Sequence, residues 1–90
     1  MITHVYETLP EFIEACQSRG VRGVALQEVQ EIRPALVNTG VHVGVVRFST
    51  VVAYSAGEVM RARIQDPPAD MVPQLQVLGV PIRRVSHNLG

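Results

Sequence analysis

The chain has 90 residues, of which 47% are hydrophobic and 18% charged, and its formal net charge is zero. A chain of this length makes one domain, which we expect to span residues 1–90. Because its formal net charge is zero, the protein as a whole does not attract a polyanion by long-range electrostatics. Its single cysteine, Cys16, excludes an internal disulfide and a structural zinc site built on cysteines. So large an apolar share in so small a domain predicts exposed apolar surface, and hence a homodimer.

The N-terminal residues carry no targeting signal that we can identify. They lack the basic start and long apolar core of a signal peptide, and no apolar run approaches the roughly 20 residues of a membrane span. Together with the lone cysteine, these features predict a cytoplasmic protein without membrane contact.

A strand and a helix are predicted at the start of the chain. Over residues 2–7 the side chains of Ile2, His4 and Tyr6 alternate with those of Thr3, Val5 and Glu7, which is compatible with a half-buried strand. Thr8 and Glu11 have the spacing of a capping box, and the residues that follow form an apolar stripe at helical spacing: Leu9, Phe12, Ile13 and Cys16. We therefore expect a helix over residues 9–19, ended by Gly20, with the cysteine in the core.

Residues 21–40 carry two competing patterns. Apolar side chains repeat at helical spacing, at Ala25, Val29, Ile32 and Leu36. Pro34 opposes a continuous helix, because proline removes a backbone hydrogen bond and clashes with the preceding turn. The sequence favours a helix that ends near Arg33, with a short strand over residues 21–25 as an alternative start and a turn at residues 38–40.

The middle of the chain predicts an antiparallel meander. Valine-rich runs are separated by turn residues at 49–50 and 56–58, which gives strands over residues 41–48, 51–55 and 59–65. In the last of these strands Arg61 and Arg63 alternate with apolar side chains. One face of that strand should therefore join the core while the other carries two arginines.

The end of the chain predicts a short helix and a last strand. Asp70 can cap a helix whose inward-facing residues are Met71, Leu75 and Leu78, with Gly79 as its end. The final strand is expected over residues 80–86. Pro81 indicates that this strand lies at an edge of the sheet or that it starts there.

With residues 21–40 set aside, the order is strand, helix, strand, strand, helix, strand. This βαββαβ order with an insertion predicts an α+β protein: a two-layer sandwich of ferredoxin-like order, with an antiparallel sheet and both helices on one face. The other face of such a sheet is free for a ligand, a nucleic acid or a second subunit.

No motif for catalysis, metal binding or phosphate binding is present. His4, His42 and His87 lie far apart without the spacing of a metal clamp, the serines lack a nucleophile context, and no glycine-rich phosphate loop occurs. We therefore expect no cofactor, no metal and no catalytic residue. An enzyme completed by residues of a neighbouring subunit remains an alternative, and it would combine a histidine with a carboxylate in a cleft.

The arginines are the remaining candidates for a site. All eight basic residues are arginine, whose planar guanidinium grips phosphate or carboxylate with two hydrogen bonds. The predicted anion- or partner-binding residues are those of the second half, together with one histidine: Arg47, Arg61, Arg63, Arg83, Arg84 and His87. Because the chain has only four aromatic residues, any contact with nucleic acid should depend on phosphates.

The sequence thus favours a small, cytoplasmic, non-catalytic domain that dimerises and serves as a binding or regulatory module. The alternative is an anion- or nucleic-acid-binding protein that uses an arginine-lined sheet surface.

Overall fold

The computed structural model describes residues 1–85, and more than half of these lie in one five-stranded sheet. Its strands are β1 (Ile2–Tyr6), β2 (Gly23–Val37), β3 (Gly40–Ser55), β4 (Glu58–Gln65) and β5 (Ile82–Val85). The helices are α1 (Leu9–Arg19) and α2 (Val72–Leu75), and a 3-10 turn over Gln76–Leu78 directly follows α2. None of the helices within residues 1–85 is long and apolar enough to cross a membrane.

The sheet is mixed, with the strand order β1-β4-β3-β2-β5. Its centre is an antiparallel meander of β2, β3 and β4, as expected for strands joined by short turns. The first and last strands flank this meander, and each runs parallel to its neighbour: β1 pairs with β4 and β5 pairs with β2.

The predicted ferredoxin-like α+β sandwich is wrong. The sheet has five strands and two parallel pairings, and α2 is a single turn of helix, so this is not a βαββαβ arrangement with two helices on an antiparallel sheet. The error arises in residues 21–40, which contain the whole of β2 and not a helix ending near Arg33. Pro34 is tolerated because β5 pairs with β2 only as far as Gln27 within the described chain, so Pro34 lies on a free edge.

A second difference concerns β3. The sequence predicts a turn at Ser49 and Thr50, but β3 runs through both residues without interruption. Pairing with β2 on one side and β4 on the other supplies a complete set of ladder bonds here, and this outweighs the local turn tendency of serine.

The first helix is confirmed in its bounds and in its caps. Thr8 Oγ1 accepts the Glu11 N–H at 3.4 Å and donates to the Glu11 carboxylate at 2.8 Å. Gly20 ends the helix with φ 61°, the left-handed conformation that favours glycine. The Asp70 cap is not formed as predicted, because the N-cap position of α2 is Met71 and has no side-chain cap bond, although Asp70 accepts the Val72 N–H at 3.0 Å. The prediction from Pro81 is confirmed, since β5 is an edge strand that begins just after this proline.

One hydrophobic core lies between the helices and one side of the sheet. Phe12 and Cys16 of α1 pack with side chains of the strands and of the α2 region, including Leu26, Val51, Met60 and Leu75. We call this side of the sheet the covered face and the opposite side the open face. Side chains alternate between the two faces along each strand, so the pairing register assigns every strand residue to one of them.

The β2–β3 hairpin extends well beyond the rest of the sheet. Among residues 1–85, β4 pairs with β3 only from Phe48 onward and β5 pairs with β2 only up to Gln27. Residues 29–47 thus project as a two-stranded ribbon in this part of the chain, and we call this ribbon the arm. The molecule measures 51 × 28 × 26 Å. Its radius of gyration of 15.4 Å exceeds the value of about 12 Å for a compact chain of this length.

Candidate functional site

Among the described residues, the open face carries three exposed arginines besides Arg33 of the arm. Arg61 and Arg63 lie two residues apart on β4, as the sequence predicts. Arg83 joins them from β5, because the register places Arg61, Val52, Ala25 and Arg83 in one row across four strands. Within residues 1–85, no carboxylate forms an ion pair with any of the three arginines. The open face therefore presents uncompensated positive charge.

A shallow depression lies on the open face where the arm leaves the sheet. Its volume is about 280 Å³, and its lining comes from β2, β3 and β4: Arg33, Val46, Phe48, Arg63 and Gln65. The Arg63 guanidinium carbon lies over the Phe48 ring, 4.0 Å from the ring centroid. This cation–π contact buries Phe48 and fixes the guanidinium as the wall of the depression.

Arg33, at the other side of the depression, is already neutralised. Its Nη2 donates to Glu31 Oε2 at 2.6 Å, and its Nε donates to the same oxygen at 3.0 Å. Both residues lie on the open face of the arm, since they are two positions apart in β2. Arg33 therefore adds a planar, hydrogen-bonding surface with little net charge.

The other predicted site residues lie elsewhere. Arg84 points to the covered face, where Nη1 binds Glu28 Oε1 at 2.7 Å and Nη2 binds Asp70 Oδ1 at 2.8 Å. Arg47 is half-buried and also lies on the covered face, since it pairs with Gln30 in the register. His87 lies outside the described residues. The structure thus brings together Arg61, Arg63 and Arg83 and separates them from Arg47 and Arg84.

The Asp70–Arg84 contact changes the ionisation of both groups. The Val72 backbone N–H holds the pKa of Asp70 below its usual value of 3.8, and Arg84 adds to this effect. The hydrogen bond to Asp70 in turn raises the pKa of Arg84. Because Arg84 bridges β5, β2 and the start of α2, its role in the fold is to hold the last strand in place.

The arm carries a second candidate surface, formed by apolar side chains on its covered-face side. Three cross-strand pairs make up this apolar face of the arm: Ile32 with Val45, Pro34 with Val43, and Leu36 with Val41. All six residues are exposed, up to 83% for Leu36, and none is charged. On the other side of the arm, charged and polar residues such as Glu31 and His42 occur. The arm is therefore an amphipathic ribbon.

One histidine lies beside a carboxylate at the other end of the sheet. His4 Nε2 and Glu58 Oε1 are 3.1 Å apart, and Arg19 Nε lies 3.5 Å from the second oxygen of Glu58. These three residues connect β1, β4 and α1. Among residues 1–85, no group of three or more histidine, cysteine and carboxylate side chains could hold a metal ion.

Cys16 is buried in the core, as its place in the apolar stripe predicts. Burial raises the pKa of its thiol to about 11, and the nearby charge of Arg19 opposes this shift only in part. A thiol in this state is protonated at neutral pH and makes a poor nucleophile.

Two features of the site were not predicted from the sequence: the depression beside Arg63 and the apolar face of the arm. A signal for the arm exists, because apolar residues alternate on both sides of the turn at Asn38 and Thr39 and would pair in a hairpin closed there. The helical spacing in residues 21–40 masks this signal. Comparison with protein-family models and with curated proteins gave no match.

Proposed function

We propose that this protein is a non-catalytic binding or regulatory module whose working form is a homodimer, closed by the apolar face of the arm against the same face of a second copy. The observation that carries the proposal is this face itself: six uncharged side chains exposed on a ribbon that projects from the sheet. A two-stranded ribbon is marginally stable in water unless its apolar side is packed against something. The apolar face of the arm therefore requires a partner that buries it.

The amount of exposed surface supports a second copy of the chain as that partner. The accessible surface is 6103 Å², about 900 Å² above the roughly 5,200 Å² of a compact monomer of this mass. A stable interface of standard size buries about 800 Å² on each partner. The surplus is thus of the size that one subunit contributes to a dimer.

The chemistry of the arm also supports self-association. The apolar face carries no charge, so two copies can meet there without electrostatic repulsion and without burying an unpaired ion. A two-fold axis brings identical rows of branched aliphatic side chains together, in the manner of two sheets packed face to face about 10 Å apart. A cytoplasmic location suits this module, because its single buried thiol needs no oxidising compartment.

Sedimentation equilibrium of the full chain across the micromolar range tests the proposal. The expected result is a dimer that Val43→Glu converts to a monomer, because the change places a carboxylate at the centre of the apolar face. Val5→Glu is the matched control. Val5 is 73% exposed, as Val43 is 72% exposed, but it lies on the open face of β1.

Circular dichroism checks that both variants keep their fold, as expected for substitutions at exposed positions. A wild-type monomer at high micromolar concentration would overturn the dimer. A dimer that survives Val43→Glu would show that the interface is not the apolar face of the arm.

A further inference from the structure

The open face has the features of a surface for an anionic polymer, and its location keeps it free in the proposed dimer. Arg61, Arg63 and Arg83 are exposed there without ion pairs among residues 1–85. The apolar face of the arm lies on the other side of the sheet. A dimer closed through the arms therefore leaves the arginines accessible, and a monomer exposes them equally, so their availability to a ligand does not depend on dimerisation.

The spacing of the arginines suits an extended strand of phosphates. Two residues along a strand separate Arg61 from Arg63 by about 7 Å, and three strand spacings separate Arg61 from Arg83 by about 14 Å. Between Arg61 and Arg83 the row contains only Val52 and Ala25. Their side chains are short, so they do not project far from the sheet. A backbone can cross the sheet there and meet a guanidinium at each end.

The depression supplies a place for a base. One side of the Arg63 guanidinium contacts the Phe48 ring, so its other side is a flat surface held in position at the wall of the depression. Unpaired bases stack on guanidinium planes as they do on aromatic rings. Gln65 lines the same depression with an amide that can donate to or accept from a base edge.

We infer that the open face binds single-stranded nucleic acid, with Arg61, Arg63 and Arg83 on its phosphates and one base stacked on Arg63 in the depression. A duplex offers the same phosphates, but its bases are stacked on one another and cannot reach Arg63. A run of aspartate and glutamate residues offers carboxylates but no ring for the depression. The single strand is the one of these partners that uses both the charges and the flat surface.

Fluorescence anisotropy with a labelled oligothymidine of about 20 nucleotides tests this inference on the full chain. Three phosphate contacts predict binding that weakens about 20-fold between about 50 and 200 mM salt, because each contact adds about 0.7 to the slope of log affinity against log salt. Arg61→Gln, Arg63→Gln and Arg83→Gln should each lower that slope by about 0.7. Arg22→Gln removes the same charge from an exposed residue outside the strands and should leave the slope unchanged.

Arg63→Lys separates stacking from charge. Lysine keeps the positive charge but loses the plane, so we expect an unchanged salt slope and an affinity at least about five-fold lower. A duplex of equal length and inorganic polyphosphate, which has no bases, should both bind more weakly than the single strand.

Several outcomes would overturn the inference. These are no binding at low salt, equal binding of the duplex or of polyphosphate, or a loss of affinity in Arg22→Gln as large as that in the open-face variants. If Arg63→Lys left the affinity unchanged, the proposed stacking of a base on Arg63 in the depression would be wrong. The monomeric variant Val43→Glu keeps the open face, so its binding shows whether this surface acts independently of the arm.

Discussion

Arg84 and Asp70 are joined by a 2.8 Å hydrogen-bonded ion pair that ties the last strand to the start of α2. The same Asp70 oxygen accepts the Val72 N–H, so one carboxylate binds both the first residue of α2 and β5. Arg84 also reaches Glu28 on β2, across the edge of the sheet. The arginine that the sequence offered as an anion site is therefore occupied by the chain's own carboxylates.

This contact makes part of the stability depend on pH. Because the folded-state pKa of Asp70 is below 3.8, its contribution is present above that pH and is lost as the pH falls through the folded-state value. Asp70→Asn should lower the unfolding temperature at pH 7, and the difference from wild type should vanish in strong acid. Glu14→Gln, at an exposed helix position, should show no such convergence. A difference that persists at low pH would contradict the assignment.

Cys16 should be inert until the protein unfolds. An aromatic disulfide reagent should fail to react with the native protein at pH 8 and should react at once in denaturant, because the thiol is buried and protonated. The unfolded thiol ionises near 9.0 and the folded one near 11, so the stability of wild type relative to Cys16→Ala should fall as the pH rises from 9 toward 11. Rapid labelling of the native protein would contradict this prediction.

Ser49 should be replaceable by alanine without loss. Its hydroxyl is fully buried on β3 and has no hydrogen-bond partner within the described chain. Removing a buried, unpaired polar group relieves its desolvation cost, so Ser49→Ala should raise the free energy of unfolding by roughly 1 kcal/mol. Ser55→Ala, on the same strand but half-buried, should change it by less than about 0.5 kcal/mol. Urea unfolding measures both, and a loss of stability in Ser49→Ala would reveal a partner for the hydroxyl.

Two glycines should respond differently to replacement by alanine, with a loss of stability at only one of them. Gly20 has φ 61°, so Gly20→Ala forces a side chain into the left-handed region and should cost about 1 kcal/mol. Gly44 lies in β3 without a positive φ, and a Cβ there would meet only the Arg33 carbonyl at 3.9 Å. Gly44→Ala should therefore be neutral or stabilise by up to about 1 kcal/mol. If both variants changed the unfolding temperature equally, backbone conformation would not be the cause of the stability change at Gly20.

Local signals were enough to predict the elements whose ends are fixed by their own residues. Thr8, Glu11 and Gly20 fix both ends of α1 through contacts within a few residues. The alternation around Arg61 and Arg63 likewise assigns both arginines to one face, since period two is a property of the strand itself. These predictions needed no knowledge of distant partners.

The structure of residues 23–37 and the composition of the open face depend on strand pairings between residues far apart in the sequence. Residues 23–37 fit a helix by spacing, and only their pairing with β3 along their whole length makes them a strand. The parallel pairing of β5 with β2 decides that Arg83 shares the open face while Arg84 does not. No local pattern at Arg83 or Arg84 contains that information, so the composition of the site was not predictable from sequence.

The mixed topology has a consequence for the order in which the chain folds. The β2–β3–β4 meander forms through short turns. In contrast, the pairing of Ile2 with Glu58 and that of Val24 with Ile82 each join residues more than 50 positions apart in the sequence. Loop-closure entropy makes such distant pairings slow, so the meander should form first and the two outer strands should dock onto it. The same strands should open first in the native state, and their amide hydrogens should exchange with solvent well before those of β3.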